Sequence, residues 1–457
     1  MQSLEILRRF QSGLKFLIQT GFRCHGLVIL LALAGVVSAD DGVTLSSGSG
    51  VTGKVTLGND GKVTVETLSG TRTVTRTYPK SRLKTYTIDG VTYDAKSDKV
   101  ITTPTTTTTV QPAFRSQKEV VALIGSVGSS PPDWFSDVPL SVPRTLDLSW
   151  PHPPKGPWDS SKNIGQYIWD RVNPNPSRWR EGIILLHHVL QTNTSPEVRQ
   201  RAMRSLGSMY HNLHQDYPRS AYWFLQSGLE KDLQQNPQAA IQLADCYFHM
   251  GSREMALDLV NHMRAKPYST IKLLGDLGET DQALKLASQF SRTGEASTAF
   301  LYAGDVCRVA NRLSEAEDYY RQASAAATQA KDADKPHRKR EKSRAEASLA
   351  VVRLYSVAPA NVKTGTYTAA SPGYEADVKV EVVVANGKMT SLRVTEHREK
   401  QFYASVTETP ARILARQSIV GIDATTGATI TSEAIINATA RALANGSNSS
   451  SEAEILK

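Results

Sequence analysis

A run of small and hydroxyl-bearing residues near the C-terminus, Thr425-Thr426-Gly427-Ala428-Thr429, could carry covalent chemistry. The side chains before Thr429 are small, so the backbone can turn tightly and approach a ligand closely. An alanine-rich stretch with apolar spacing follows and predicts a helix that continues to Leu443. The N–H groups and the positive dipole end at a helix start stabilise an anion by about 0.3–1 kcal/mol. The hydroxyl of Thr429 therefore stands where a phosphate ester would be stabilised.

The polar residues around Thr429 have alternative roles that the sequence leaves open. Thr431 or Ser432 is expected to cap the helix, with Glu433 in its first turn. Asp423 would oppose a phosphate if its carboxylate pointed inward, and it would otherwise bind a cation or cap the turn. A Thr-Gly-Ala-Thr sequence by itself is also typical of a simple helix-capping turn that carries no ligand.

The segment from Asp423 to Ser432 resembles the flavin-attachment motif of the FMN-binding domain family, found in the flavoprotein subunits of sodium-pumping NADH:quinone reductases and of Rnf-type electron-transport complexes. In that family the last Thr of a Ser/Thr-Gly-Ala-Thr element is esterified to the phosphate of FMN. By position this residue is Thr429, so the resemblance implies FMN as a covalent phosphoester on Thr429. It also implies that the other motif residues surround the cofactor: Asp423, Thr426, Gly427, Ala428, Thr431 and Ser432.

Upstream residues follow the order of the same family, so that the resemblance covers roughly residues 361–444. Two glycine-tyrosine elements, Gly365-Thr-Tyr367 and Gly373-Tyr374, come first. Alternating valines over 378–382 predict a half-buried strand, and Asn386-Gly387 predicts a tight hairpin after it.

The last of these family elements is a loop that contains His397 and Glu399. The two side chains would lie either at the flavin edge or in a structural or solvated loop. Lys400 replaces the Thr or Ser that often follows this Glu in the family, which leaves the contacts of the loop open. Nearby aromatic residues would contact the flavin ring or pack in the core: Tyr367, Tyr374, Phe402 and Tyr403.

The composition is that of an exported protein with several domains. A chain of 457 residues predicts about three domains. Lys and Arg exceed Asp and Glu by nine, a modest excess that does not imply nucleic acid binding. Basic residues precede an apolar run from Leu27 to Val37, so residues 1–39 are predicted to be a signal peptide. An uncleaved anchor is the alternative, and in both cases we expect a periplasmic or extracytoplasmic protein.

The rest of the chain is predicted to be multidomain. Residues 40–100 alternate in polarity around turn signals and predict a small all-β, barrel-like module. Residues 101–163 are rich in Thr, Pro and Trp and are expected to be a linker. Helical repeats at 164–357 precede an α+β FMN-binding domain at 358–445 and a disordered tail at 446–457.

An internal repeat marks the helical part. Ala221, Ala256, Ala283 and Ala316 are spaced by 35, 27 and 33 residues. This is similar to irregular tetratricopeptide repeats, in which small residues let paired helices approach closely. Such an α-helical solenoid presents an extended concave surface, so the repeats would dock a protein partner or act as a spacer.

The resemblance predicts an electron-transfer flavoprotein rather than a self-contained enzyme. No nicotinamide-binding fingerprint, catalytic triad or metal site is evident in the sequence. A separate flavin transferase would load FMN from FAD, and membrane or extracytoplasmic redox proteins would exchange electrons with it. Two alternatives stay open: an extracytoplasmic flavin-dependent reductase, and a repeat scaffold whose flavin domain is vestigial.

Overall fold

The computed structural model describes residues 42–45, 50–52, 54–57, 62–69, 72–88, 91–97, 100–102, 114–399, 404–424 and 428–447. The predicted signal peptide lies outside these ranges, as do Phe402, Tyr403, Thr426, Gly427 and all but the first two residues of the tail predicted at 446–457. No described helix is both long enough and apolar enough to span a membrane. The chain divides into two compact units, residues 1–105 and 106–457.

The described strands of the first unit form two antiparallel sheets. Pairing of Leu57 with Val63 joins the two strands on either side of the predicted turn at 59–61. Val63, Val65 and Leu83 are fully buried between polar neighbours, as the alternating pattern predicts. Closure of these sheets into a barrel stays a prediction. The sheet orders are β2-β1-β6-β7-β8 and β3-β4-β5, with β1 (Gly42–Leu45), β2 (Gly50–Thr52), β3 (Lys54–Leu57), β4 (Lys62–Ser69), β5 (Arg72–Pro79), β6 (Leu83–Ile88), β7 (Val91–Asp94) and β8 (Val100–Thr102).

Part of the segment expected to be a linker is folded. Helix α1 (Gln117–Leu123) begins at a capping box in which Ser116 and Glu119 bond each other's backbone N–H groups. Val120 of this helix is fully buried, and Arg115 donates to the carbonyl oxygen of Met250 over 2.9 Å. Large apolar side chains in the irregular stretch that follows, such as Trp150, pack on the first helices of the second unit.

A helical array over residues 164–351 makes up most of the second unit, and most of its consecutive helices pack against one another. Four pairs turn through a residue with positive φ placed shortly before the second helix: Gln215, Gly251, Gly278 and Asn311. The four alanines of the predicted repeat lie in those second helices and are fully buried. The relation to tetratricopeptide repeats stays a prediction. The helices are α2 (Ile164–Tyr167), α3 (Trp179–Thr192), α4 (Pro196–Met209), α5 (Tyr217–Gln226), α6 (Pro237–His249), α7 (Arg253–His262), α8 (Ser269–Asp276), α9 (Thr280–Gln289), α10 (Ala296–Val309), α11 (Leu313–Gln329) and α12 (Pro336–Val351).

The C-terminal domain is a three-stranded antiparallel sheet covered by two helices. Its strands β9 (Gly365–Pro372), β10 (Asp377–Ala385) and β11 (Lys388–Glu396) lie in the order β11-β10-β9. The alternating valines of β10 are fully buried, and Asn386-Gly387 has positive φ at both residues, as a two-residue type I′ hairpin requires. Both predictions for this hairpin are confirmed.

Two helices complete this domain. Helix α13 (Ala404–Arg416) packs on β11, and helix α14 (Thr429–Asn445) packs across β9 and β10. Helix α13 is not expected from the sequence, because Pro410 lies inside it and proline normally interrupts a helix. Burial of Thr409, Pro410 and Ile413 stabilises the helix in spite of that residue.

The close contact between α10 and α11 makes Gly304 a sensitive position. A Cβ added there would lie 2.5 Å from the ring of Tyr320, which is fully buried and donates to Asp305 over 3.0 Å. We expect Gly304→Ala to lower the free energy of unfolding by about 1–3 kcal/mol through overpacking. Urea denaturation would measure the change.

Gly125 provides the matched control, since a Cβ added there has no neighbour within 4 Å. Gly125→Ala is expected to leave stability unchanged or to raise it by up to about 1 kcal/mol, because alanine favours helical backbone. Equal free energies of unfolding for Gly304→Ala and Gly125→Ala would contradict the close contact of Gly304 with Tyr320.

Candidate functional site

A cleft of about 450 Å³ lies between the helical array and the C-terminal domain. The C-terminal domain lines it with Tyr374, Glu399 and residues 428–431. The array lines it with side chains from α6, α8, α10 and two π-helical turns, Ile168–Val172 and Tyr210–His214. Small-molecule sites typically have volumes of about 300–1,000 Å³, so the cleft is large enough for an organic cofactor.

Thr429 lines this cleft as the first residue of α14. Ala428 is the N-cap residue, and its carbonyl oxygen accepts from the N–H of Ser432 over 3.0 Å. The prediction that Thr431 or Ser432 caps the helix is therefore wrong, since the helix begins before both. The first N–H groups of a helix have no partner within it, and here they lie next to the Thr429 hydroxyl.

The hydroxyls of Thr431 and Ser432 are engaged inside the domain. Thr431 donates to Oε2 of Glu399 over 2.5 Å, and Ser432 lies 3.1 Å from the hydroxyl of Thr409 on α13. Both side chains are buried. They fix the first turn of α14 and cannot also cap it.

Glu399 joins the start of α14 to the turn after β9. Its Oε1 accepts from the N–H of Tyr374 over 2.8 Å while Oε2 binds Thr431. A Cβ added at Gly373 would lie 2.5 Å from Oε1, so only glycine leaves room for this carboxylate. Glu399 is thus a buried positioning residue beside the cleft. His397 is half-buried and is not among the described residues that line the cleft.

Asp423 forms an ion pair with Lys272 of the array. Nζ of Lys272 lies 2.9 Å from Asp423 and 2.6 Å from Asp276. Burial by itself would lower the pKa of Lys272, but the two carboxylates outweigh it and raise that pKa. Burial and the neighbouring Asp423 raise the pKa of Asp276. Asp423 thus binds a lysine of the array, and its Oδ1 also accepts from the N–H of Ala424 over 2.6 Å, so the structure does not choose between the cation-binding and turn-capping roles.

Residues 373–444 match the FMN-binding domain family. This part of the chain is an FMN-binding domain. The match supports FMN as the ligand and a flavoprotein as the class of protein. No curated protein and no solved structure matches the chain. The closer resemblance to subunits of sodium-pumping reductases and Rnf complexes stays a prediction.

The described residues of the FMN-binding domain fit such a cofactor. The start of α14 offers backbone N–H groups for a phosphate, and Thr429 offers a hydroxyl at the same end of the cleft. Ala428 has a small side chain at that point, and the carboxylate of Asp423 is paired with Lys272. A phosphate would therefore meet donors rather than an unpaired carboxylate.

A buried ion pair holds the FMN-binding domain against the array. Arg308 of α10 lies 2.7 Å from Glu433 of α14 and donates to the carbonyl oxygen of Ile422 over 2.8 Å. Burial raises the pKa of Glu433 to about 7; Arg308 opposes the shift and Asp305 adds to it. Arg308 thus fixes both sides of the segment that carries Thr429.

The sequence motif does not reveal the array residues at this site. Lys272 and Arg308 lie in helical repeats more than a hundred residues before their partners. A lysine or arginine in an amphipathic helix is usually on a solvated face, so neither residue stands out. The one available signal is that both residues lie in the first helix of a helix pair, α8 and α10; in the predicted solenoid such helices would line the binding surface.

Removal of Arg308 is expected to loosen this junction. Arg308→Met leaves Glu433 buried without a counter-ion, so we expect a loss of about 3–5 kcal/mol in the free energy of unfolding. Arg321→Met is the control, because Arg321 is 59% exposed in its ion pairs and such pairs contribute about 0–1 kcal/mol. Denaturant unfolding of both variants would measure the difference.

The pH dependence gives a second measurement of the same pair. A pKa raised in the folded state to about 7, from the usual 4.5, means that the folded protein binds the proton of Glu433 more tightly than the unfolded chain. The stability that this proton contributes is present at low pH and is lost as pH rises from 4.5 to 7. Because a protonated Glu433 needs no counter-ion, the deficit of Arg308→Met relative to Arg321→Met should shrink as pH falls. A deficit that is constant with pH would contradict the role given to Glu433.

Proposed function

We propose that this protein is an exported flavoprotein that carries FMN covalently on Thr429 and passes electrons between membrane and extracytoplasmic redox partners. The observation that supports it best is the place of Thr429, at the first residue of α14 and in the wall of a cleft large enough for the cofactor. The family match at 373–444 supports FMN as that cofactor.

Attachment would follow the chemistry of phosphoryl transfer. The Thr429 hydroxyl attacks the FMN phosphorus of FAD, the P–O–P bond breaks, AMP leaves, and the hydroxyl proton is released. A separate flavin transferase would catalyse this step. The N–H groups at the start of α14 would then bind the phosphodiester oxygens.

Electron transfer would depend on how the chain positions the cofactor. FMN supplies transfer of one or two electrons when it is bound. Thr429 would tether the cofactor, and the Arg308–Glu433 pair would keep the tether in place against the array. Tyr374 and Trp169 line the cleft and remain 41% and 52% exposed, so a redox partner could approach at this edge.

A second candidate function is a flavin-dependent reductase of a small anionic acceptor. A neighbouring cavity of about 350 Å³ shares Trp169 and Asn212 with the cleft. Arg201 and Arg204 line this cavity together with two serines. Arginine suits a small anion, but Arg204 is already paired with Asp232 over 2.6 Å, so an acceptor would compete with that pair. Saturable reoxidation of the reduced, FMN-loaded protein by a panel of small carboxylates would favour the reductase over the carrier.

Thr429→Ala tests the attachment site. We expect this variant, co-expressed with a flavin transferase, to show no flavin fluorescence on a denaturing gel and no mass increase, because the attacking hydroxyl is gone. Its circular dichroism should match the wild type, since the Thr429 side chain caps nothing in α14.

Thr407→Ala is the matched control in the same domain. Thr407 is exposed and its hydroxyl donates only locally, to the carbonyl oxygen of Ala404, so full covalent loading is expected. Retained flavin in Thr429→Ala, or loss of it in both variants, would reject Thr429 as the attachment residue.

A further inference from the structure

The array side of the cleft contains amide side chains whose orientation is set by their neighbours. Oδ1 of Asn212 accepts from the Gln242 amide over 3.2 Å and lies 2.8 Å from Nδ1 of His211. Gln242 is itself held by Ser208, which donates to Oε1 of Gln242 over 3.1 Å. With its oxygen occupied, Asn212 presents its N–H groups, and they make no hydrogen bond to the described residues.

Gln238 repeats this arrangement one turn earlier on α6. Its Oε1 accepts from the hydroxyl of Ser269 over 2.9 Å, which leaves the amide N–H groups as the available donors. Gln238, Asn212 and the apolar side chains of Ile241 and Leu273 line the same cleft as Thr429. The array wall therefore combines apolar surface with two amide side chains whose oxygens are occupied and whose N–H groups are the available donors.

The backbone around Asn212 is unusual for an ordinary repeat. Asn212 lies in the π-helical turn Tyr210–His214 that ends α4, and Trp169 lies in another such turn, Ile168–Val172. Both residues line the cleft. Single π-helical turns inside helices often occur at functional sites, which points to the cleft rather than to the outer surface of the array.

This wall has the chemistry of a flavin-ring site. The isoalloxazine ring is a flat aromatic surface with two carbonyl oxygens on its pyrimidine edge, and those oxygens need hydrogen-bond donors. Apolar side chains with a few placed polar groups are the usual lining of a cofactor site. The FMN-binding domain supplies the attachment end of the cleft, and the donors lie on the array.

We infer that the helical array is part of the cofactor site and binds the ring of FMN, with Asn212 and Gln238 donating to the ring carbonyl oxygens. The inference rests on the proposed function, since it takes FMN to be attached at Thr429. It gives the array a second role besides any docking of partners. Donors at these oxygens favour the reduced ring, which carries more negative charge there.

The test compares Asn212→Ala and Gln238→Ala with Gln282→Ala in FMN-loaded protein. Gln282 is an exposed glutamine of α9 that bonds only the nearby Glu279. Denaturing gels report covalent loading, which we expect to be equal in all variants. In folded protein the two cleft variants should show brighter flavin fluorescence and a lower reduction potential than the wild type, and Gln282→Ala should show neither change. Full loading with unchanged fluorescence and potential in every variant would overturn the inference while leaving the proposed function intact.

If the protein is not loaded covalently, the proposed attachment is rejected, and a second experiment then tests the array wall on its own. Free FMN is then titrated into the wild-type protein and the same variants. Weakening of FMN binding by about fivefold for each lost donor, the equivalent of one hydrogen bond, would support the array wall. Equal affinity in all proteins, or no binding of FMN to the wild type, would overturn it.

Discussion

The buried contact between Arg308 and Glu433 is the interaction on which the site depends. Both side chains are almost completely removed from solvent, and a charge in such a place is tolerated only with a partner. Arg308 also binds the carbonyl oxygen of Ile422. One guanidinium thus holds the residues before and after the Thr429 motif and helps to keep the two walls of the cleft together, beside the Lys272–Asp423 pair.

Two cations of the array meet carboxyl groups at this junction. Lys272 lies 2.6 Å from Asp276 and 2.9 Å from Asp423, and Arg308 lies 2.7 Å from Glu433. In both groups burial raises the pKa of a carboxyl, that of Asp276 in one and that of Glu433 in the other. Because Lys272 is already paired with two carboxyl groups, a phosphate at Thr429 would be held mainly by the N–H groups of α14.

Local patterns predict the elements of the FMN-binding domain, whereas the long-range contacts cannot be predicted from the sequence. The buried valines of β10 and the hairpin at Asn386-Gly387 follow from period-two alternation and from backbone preference, which are properties of neighbouring residues. The start of α14 is predicted too late in the chain, because Thr431 and Ser432 are typical capping residues. Their hydroxyls are instead bound by Glu399 and Thr409, which lie far away in the sequence. Contacts such as Lys272 with Asp423 span 151 residues, and no local pattern encodes them.

The shape of the cleft gives a physical reason for covalent attachment. Its walls are partly polar and its edge is open at Trp169 and Tyr374, so a ring bound there would bury less apolar surface than in a closed pocket. Affinity from burial scales with that area, and an exported protein would lose a weakly bound cofactor by dilution. In the proposed function, a bond to Thr429 would remove the need for high affinity. The array would then be free to position the ring and set its electronic environment while one edge stayed open to a redox partner.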